Sequence, residues 1–404
     1  MGLFQEPTFS PTFVSGARTT GDIVSGRIKP DYAGEIFTYQ PDGNALALIL
    51  TRSKRKKRTA TQYMFNFLQK DRYVYRDRVA HATPGSSYDA DDTSIAVNDG
   101  SVFGARDVVL VPDTMERFLV QSVSSNTLTV EQRGLGETAQ PIADGSELVV
   151  IGNAYPENAA AGTPNSIQEE VVFNYTQTIR TPFAFSGREM NTDMFGGPDM
   201  KTEEKWQASA HAQKVENAIL WSARDLFNDA SSVKPNTTMG GLHYWTGASN
   251  QWDLNNVPFN HKNLVEYLEY GMYYGNGGRF GTKTKWLFGS SAFGTEIESW
   301  GHDKVRLVPE ADTLGIKVKK IVTTHGNIMY VDHPLFEGAN RDKAFLVDIN
   351  HIRYVEHQGR GTQLRRNIGT PSVDGKTHEI LTDCSIEVTL PKAHGFWFGL
   401  GKNG

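Results

Sequence analysis

Three stretches of this chain come within a residue or two of a catalytic motif. "GTPSVDGKT" at 369–377 has the glycines, lysine and threonine with which a phosphate loop cradles a nucleotide, but five residues separate Gly369 from Gly375 where that loop has four. "GNGGRFG" at 275–281 puts Phe280 where a dinucleotide fingerprint places its last glycine. "HEILT" at 378–382 has Thr382 where a zinc protease places its second histidine, and it lies in a run that alternates like a strand. "YDADD" at 88–92 clusters acids as a calcium loop does, without that loop's glycine and distal glutamate. His351 and His357 are six apart, a spacing that suits no single metal-binding face, and Cys384 sits in a strand-like run where an inert thiol is expected. No catalytic, cofactor or metal constellation emerges, and no cofactor is expected.

One stretch is chemically one-sided. "TRSKRKKR", Thr51 to Arg58, holds Arg52, Lys54, Arg55, Lys56, Lys57 and Arg58 with no acid among them. Such a run can grip phosphates, or it can meet carboxylates. The chain as a whole has 41 basic and 46 acidic side chains, a net charge of −5, which does not suit a protein whose main task is coating DNA. The favoured partner is therefore acid on another copy of the chain, with Glu169, Glu170, Glu203 and Glu204 as candidates. Tyr63, Phe65 and Phe67, alternating just after the run, join it as candidate inter-subunit contacts.

The elements that position these residues follow from periodicity. With 404 residues, 38% of them hydrophobic, the chain can build two or three cores. Prolines at 7, 11, 30 and 41 forbid a long helix in residues 1–44 and predict an extended arm. The aromatic alternation over 59–80 predicts a long hairpin. Five β-type runs between 94 and 152, broken at Asn98-Asp99-Gly100, Ser125-Asn126 and Asp144-Gly145, predict a small all-β subdomain. Residues 200–228 predict one long helix, starting near Pro198 and Asp199. Beyond it short helices and strands mix, and the alternation over Cys384, Ile386, Val388 and Leu390 predicts a strand closing a sheet. The fold class is α+β. A single cysteine excludes an internal disulfide, no apolar run is long enough to span a bilayer, and "MGLFQEPTFS" offers neither a signal peptide nor a myristoylation site. A protein of a reducing cytosol is expected, with no membrane partner.

The order of three segments carries a resemblance. "ALALILTRSKRKKRTATQYMFNFLQKDRYVYRDRV", "NYTQTIRTPFAFSGREM" and the ending "LPKAHGFWFGL" follow one another as in the major capsid proteins of tailed bacteriophages, shell subunits with the HK97 fold. The resemblance runs from about residue 45 to 400. It implies an N-terminal arm at 1–44 and an extended loop with flanking strands at 45–93 and 153–190, with 94–152 inserted in it. It further implies a peripheral domain with a spine helix at 191–239, a mainly axial domain at 240–380, and a closing peripheral strand at 381–404. The implied function is self-assembly, as pentamers and hexamers, into an icosahedral shell around double-stranded DNA. Implied partners are a separate scaffolding protein, a portal, non-specific packaged DNA on the inner face and a decoration protein. The shell would be assembled in the host cytoplasm and end in the virion. Another phage structural part, in a tail or baseplate, is the alternative, and a hydrolase with a dispersed site is a third.

Overall fold

The structure, a computed structural model, describes residues 45–52, 57–70, 74–160, 162, 166–192, 199–228, 235–246, 250–255, 260–272, 284–300, 307–309, 318–370 and 372–401. Two compact units share them: one is Asn66–Phe173, and the other comprises the chain on either side of it. The arm expected at 1–44 lies outside the described residues.

The larger unit is organised by one strand. "GKTHEILTDCSIEV" alternates two kinds of side chain, and a strand sends alternate side chains to opposite faces. Ile380, Thr382, Cys384, Ile386 and Val388 fall on one face; Glu379, Leu381, Asp383, Ser385 and Glu387 fall on the other. The strand runs Gly375–Val388, and it does not close its sheet but occupies the middle of it. Gln177–Ser186 pairs along one side; Ile352–His357 and Gln363–Arg365 pair along the other. Lys57–Ala60 adds a parallel edge strand to Ile352–His357. Partners on both sides and covered faces explain why the strand is buried almost throughout.

The long helix, Asp199–Trp221, lies on the first face. Its histidine His211 bridges two strands, Nδ1 to Thr181 Oγ1 at 2.9 Å and Nε2 to Thr382 Oγ1 at 2.7 Å. Lys214 Nζ donates to the same Thr181 hydroxyl at 3.2 Å. The helix has 23 residues, a rod of about 35 Å, and stops short of the expected residue 228. Its last turn is closed by the returning chain: the Gly241 N–H donates to Ser222 O, and a Cβ at Gly241 would sit 2.8 Å from the carbonyl oxygens of Ala218 and Ile219. Asp225–Asn228 then pairs with Pro235–Thr238 as a hairpin, leaving Leu226 and Phe227 exposed. The helix expected over 200–228 thus included Leu226, which lies in this hairpin and is exposed.

A second sheet of seven strands has the order 251–253, 395–398, 344–347, 284–289, 326–332, 318–323, 307–309. On one face, helices His261–Gly271 and Ser291–Trp300 bury Leu264, Leu268, Phe293 and Ile297 against Leu287, Ile328, Leu346 and Trp397. On the other, Trp221 at the end of the long helix packs among Phe336, Phe345 and Phe396 with ring centroids 5.1 to 6.0 Å apart. Each aromatic buries 150–250 Å² at about 25 cal/mol per Å², so this cluster is a large part of what joins helix to sheet.

In the smaller unit all five β-type runs are strands, in a six-stranded sheet ordered 76–78, 147–153, 107–111, 116–124, 127–132, 94–96. The expected hairpin over 59–80 does not form. Arg76–Arg78 joins this sheet, while Met64–Gln69 pairs with Glu170–Tyr175, about a hundred residues on. Alternation identifies a strand, not its partner. At the start of strand 116–124, Glu116 is fully buried and receives Arg133 at 2.6 and 3.0 Å, with the Gln140 and Gly134 amides at 2.9 and 3.3 Å. Burial opposes ionisation there, but the guanidinium and the amides outweigh it and hold the Glu116 carboxyl below its usual range. Arg133 also donates to the carbonyls of Asp89, Asp92 and Gln140, so one ion pair ties two loops to the start of strand 116–124.

The paired ends Gln69 and Glu170, whose side chains are hydrogen-bonded at 3.1 Å, mark where the smaller unit can be excised. Joining Gln69 to Glu170 through a short Gly-Ser bridge is expected to leave the larger unit folded, as judged by near-ultraviolet circular dichroism. Removing only 94–152 strands Val79, a member of the smaller unit's core, and is expected to give a less soluble product. An insoluble first deletion would show that the larger unit needs the smaller one.

Three buried histidines held below the ordinary imidazole range, His211, His378 and His394, set a pH dependence. Burial, aided by Lys214, holds His211 below the ordinary imidazole range, and burial pushes His394 from 6.5 down to about 3. Groups depressed on folding contribute stability above their unfolded pKa and lose it as pH falls from there toward the folded value. Thermal midpoints are therefore expected to fall between pH 7.5 and 5, before most carboxylates titrate, and to fall less in His394→Gln. A flat profile over that interval would contradict the assignment.

Candidate assembly surface

Of the basic run, Lys57 and Arg58 are described in full; the Arg52 side chain and all of Lys54, Arg55 and Lys56 lie outside the described residues. Lys57 and Arg58 belong to the edge strand Lys57–Ala60. Lys57 Nζ meets Glu356 Oε1 at 3.2 Å, and Arg58 meets Glu387 Oε2 at 2.6 Å while lying 5.5 Å from the Phe65 ring centroid. These carboxylates belong to the same chain, and they are not the Glu169, Glu170, Glu203 and Glu204 expected from the sequence. Within the chain, Glu170 instead receives Gln69, and Glu204 receives Arg366 at 2.8 Å. Proximity in the fold decides the pairing: a parallel edge strand brings Arg58 opposite Val355, one strand away from Glu387.

Arg58 is one member of a larger arrangement that the sequence reading missed. Glu379, Asp383 and Glu387 recur every fourth residue along the central strand, so they share a face, and each is nearly fully buried. Each also has arginine. Arg180, from the neighbouring strand, grips Glu379 with two donors, one of them Nη2 to Oε2 at 2.8 Å. Arg360, from the loop after Ile352–His357, pairs with Asp383. Arg58 and Arg353 converge on Glu387. The Arg180 contact, the largest influence, holds the Glu379 carboxyl below its usual range. A buried carboxylate without a partner costs several kcal/mol, which makes these arginines structural. Their guanidiniums nevertheless emerge: the Arg180 and Arg353 side chains are 60% and 54% exposed. Each guanidinium carries five N–H donors and a carboxylate takes two, so donors remain for a partner. Acids at every fourth position of a strand that otherwise reads as core were the available signal.

The aromatic candidates separate. Phe65 and Phe67 are buried within the chain, alternating with exposed Met64, Asn66 and Leu68. Tyr63 is half-exposed and stacks on Tyr175 at 6.2 Å. The ribbon strands 64–69 and 170–175 also expose Leu68 and Val171.

The near-motifs have structural roles. Gly375 lies where a Cβ would meet Phe185 O at 2.5 Å, so that glycine admits the neighbouring strand. His378 and Glu379 lie on a strand, where a two-histidine helical zinc motif has no place. His351 Nδ1 faces Thr389 Oγ1 at 3.4 Å, His357 Nδ1 faces Gln358 O at 3.3 Å, and the Asp92 carboxylate accepts the Asp89 N–H at 2.7 Å. Cys384 is wholly buried, which pushes its thiol up to about 12. Residues 275–281 lie outside the described residues. Among the described residues no three of His, Cys, Asp and Glu are grouped to hold a metal ion, and no helix is long and apolar enough to cross a membrane.

Comparison with known proteins places this arrangement in a family. The curated major capsid protein of Pseudomonas phage PaMx41 is 28% identical over 191 residues, 47% of this chain and 44% of that protein, so the chain matches less than half of that relative's length. Among solved structures, that of Mycobacterium phage Bobi covers 94% of this chain and 98% of its own at 8% identity and a TM-score of 0.49. The capsid of the native GTA particle covers 93% and 96% at 11% identity and a TM-score of 0.48. A model of the SU10 major capsid protein family matches residues 12–401, nearly the whole chain, and the chain therefore belongs to that family.

Proposed function

We propose that this chain is the repeating subunit of a phage capsid, a structural protein that assembles with copies of itself, as pentamers and hexamers, into a closed shell around double-stranded DNA. The observation that carries this reading is the family match over residues 12–401. The fold would be of the HK97 type, with Asp199–Trp221 as its spine helix, the five-stranded sheet beneath it as the peripheral domain and the seven-stranded sheet as the axial domain. The ribbon 64–69 with 170–175 would be the base of the extended loop. A separate scaffolding protein, a portal, a decoration protein and the packaged genome are the expected partners, and assembly would take place in the host cytoplasm. A shell needs many modest contacts that act together and no reactive centre, and closed symmetry multiplies each contact by the number of copies. Half-exposed arginines over buried carboxylates suit this: their geometry is held before a neighbour arrives, which reduces the ordering cost of contact. The tail and hydrolase readings have no comparable support.

The basic run can now be tested in two parts. Lys54, Arg55 and Lys56, changed together to alanine, are expected to lower the yield of rings or hollow shells seen by negative-stain electron microscopy while leaving the thermal midpoint unchanged. Arg58→Ala is expected to lower the midpoint itself, by roughly 1–3 kcal/mol of stability, because it leaves the Glu387 carboxylate with one guanidinium fewer. Full assembly by the triple variant, with its scaffold co-expressed, would remove the run from the interface. Only monomers or dimers from the unaltered chain under the same conditions would count against the shell reading itself.

A further inference from the structure

Glu216 is fully buried on the long helix and is held by three N–H donors, none from lysine or arginine. Oε1 accepts the Leu46 amide at 2.8 Å and Oε2 the Ala47 amide at 2.7 Å. Both amides belong to the first turn of the short helix Ala45–Arg52, where the opening N–H groups have no partner within the helix. Helices ordinarily find that cap in the residue just before them. Here it comes from 170 residues downstream. The third donor is His333, just beyond the strand Gly326–Asp332, whose Nε2 lies 2.8 Å from Glu216 Oε1. Its Nδ1 faces the Leu335 N–H at 3.3 Å and so acts as acceptor, which places the ring proton on Nε2 and makes that nitrogen a donor to the carboxylate. The positive end of the short helix then supplies the opposite charge that no side chain provides.

Eight residues are too few to remain helical alone in water. Beyond Glu216, what holds this helix is the burial of Leu46, Ile49 and Leu50. Its far end leads into the basic run and the edge strand Lys57–Ala60, and its near end receives the first 44 residues.

We propose that Glu216 and His333 form a latch that seats the helix Ala45–Arg52, so that this helix docks and releases as a unit while both sheets stay folded. The seated helix fixes where the N-terminal segment departs from the body of the subunit. Release would loosen that point of departure while Lys57 and Arg58 stay in the edge strand. The latch stands on the geometry of one chain and does not depend on the shell reading.

Hydrogen exchange by mass spectrometry on the full chain tests this. In Glu216→Ala the amides of residues 45–52 are expected to exchange faster by about tenfold or more, with the strands 284–289 and 375–388 unchanged. Glu216→Gln, which keeps the shape but turns one acceptor into a donor, is expected to act in the same direction, and His333→Gln more weakly. If Glu216→Ala fails to fold, Glu216→Gln is the variant read. Unchanged exchange over 45–52 would overturn the latch. So would equal acceleration everywhere, which would make Glu216 a residue of the common core.

Discussion

A carboxylate taken out of water must be given donors or a counter-charge, and much of this chain's larger unit is arranged around meeting that demand. Glu379, Asp383 and Glu387 line one face of the central strand, and Arg180, Arg360, Arg353 and Arg58 arrive from four different segments to neutralise them. Because each arginine comes from elsewhere in the chain, the pairs tie the edge strand, the neighbouring strands and a loop to one axis. An apolar face of equal size would hold these segments together without dictating their order. Buried charges penalise any register in which a carboxylate faces an apolar neighbour, so the ladder supplies specificity as well as cohesion.

The opposite face of the same strand uses a different device for the same end. Thr181 and Thr382 point at the long helix, and His211 bridges them with both ring nitrogens. The first half of that helix is mostly only partly buried, whereas Val215, Glu216, Ile219 and Leu220 near its end are fully covered and Trp221 enters the aromatic cluster of the second sheet. The helix is thus anchored firmly at its C-terminal end and by hydrogen bonds along its middle. Hydrogen bonds contribute about 1 kcal/mol each, net, against several for a buried aromatic, so cohesion grows along the helix toward Trp221.

What could be read beforehand divides along a physical line. Alternation over Cys384, Ile386 and Val388 and the β-type runs between 94 and 152 marked strands, because a side chain's face depends only on local geometry; Leu390, counted in the same alternation, instead lies past the strand with φ +51°. Partners are another matter. Met64–Gln69 alternates well, yet nothing local says that it pairs with Glu170–Tyr175 and not with the tyrosine run that follows it. The long helix was legible, but its end was not, since the stop is made by Gly241 returning against Ser222. The basic run was singled out correctly as unusual. Within the chain, Lys57 and Arg58 meet Glu356 and Glu387, about three hundred residues away, which no local reading of the run can reveal. The resemblance carried the family from the order of segments alone, without any single diagnostic motif.

The two kinds of buried acid in this chain also differ in what surrounds them, and that difference bears on how the subunit can move. Along the central strand each carboxylate is met by arginine, a cation that keeps its charge in any arrangement, and the strand itself is held by partners on both sides. Glu216 is met by two backbone amides and the His333 imidazole, and its contacts to the short helix Ala45–Arg52 concern one short element. When that helix lifts, its amides regain water, while Glu216 retains His333 and gains access to solvent where the helix had been. The cost of opening is borne by one short element and not by a sheet. A body held by buried ion pairs and a short helix held by one carboxylate thus keep rigidity and release in separate places.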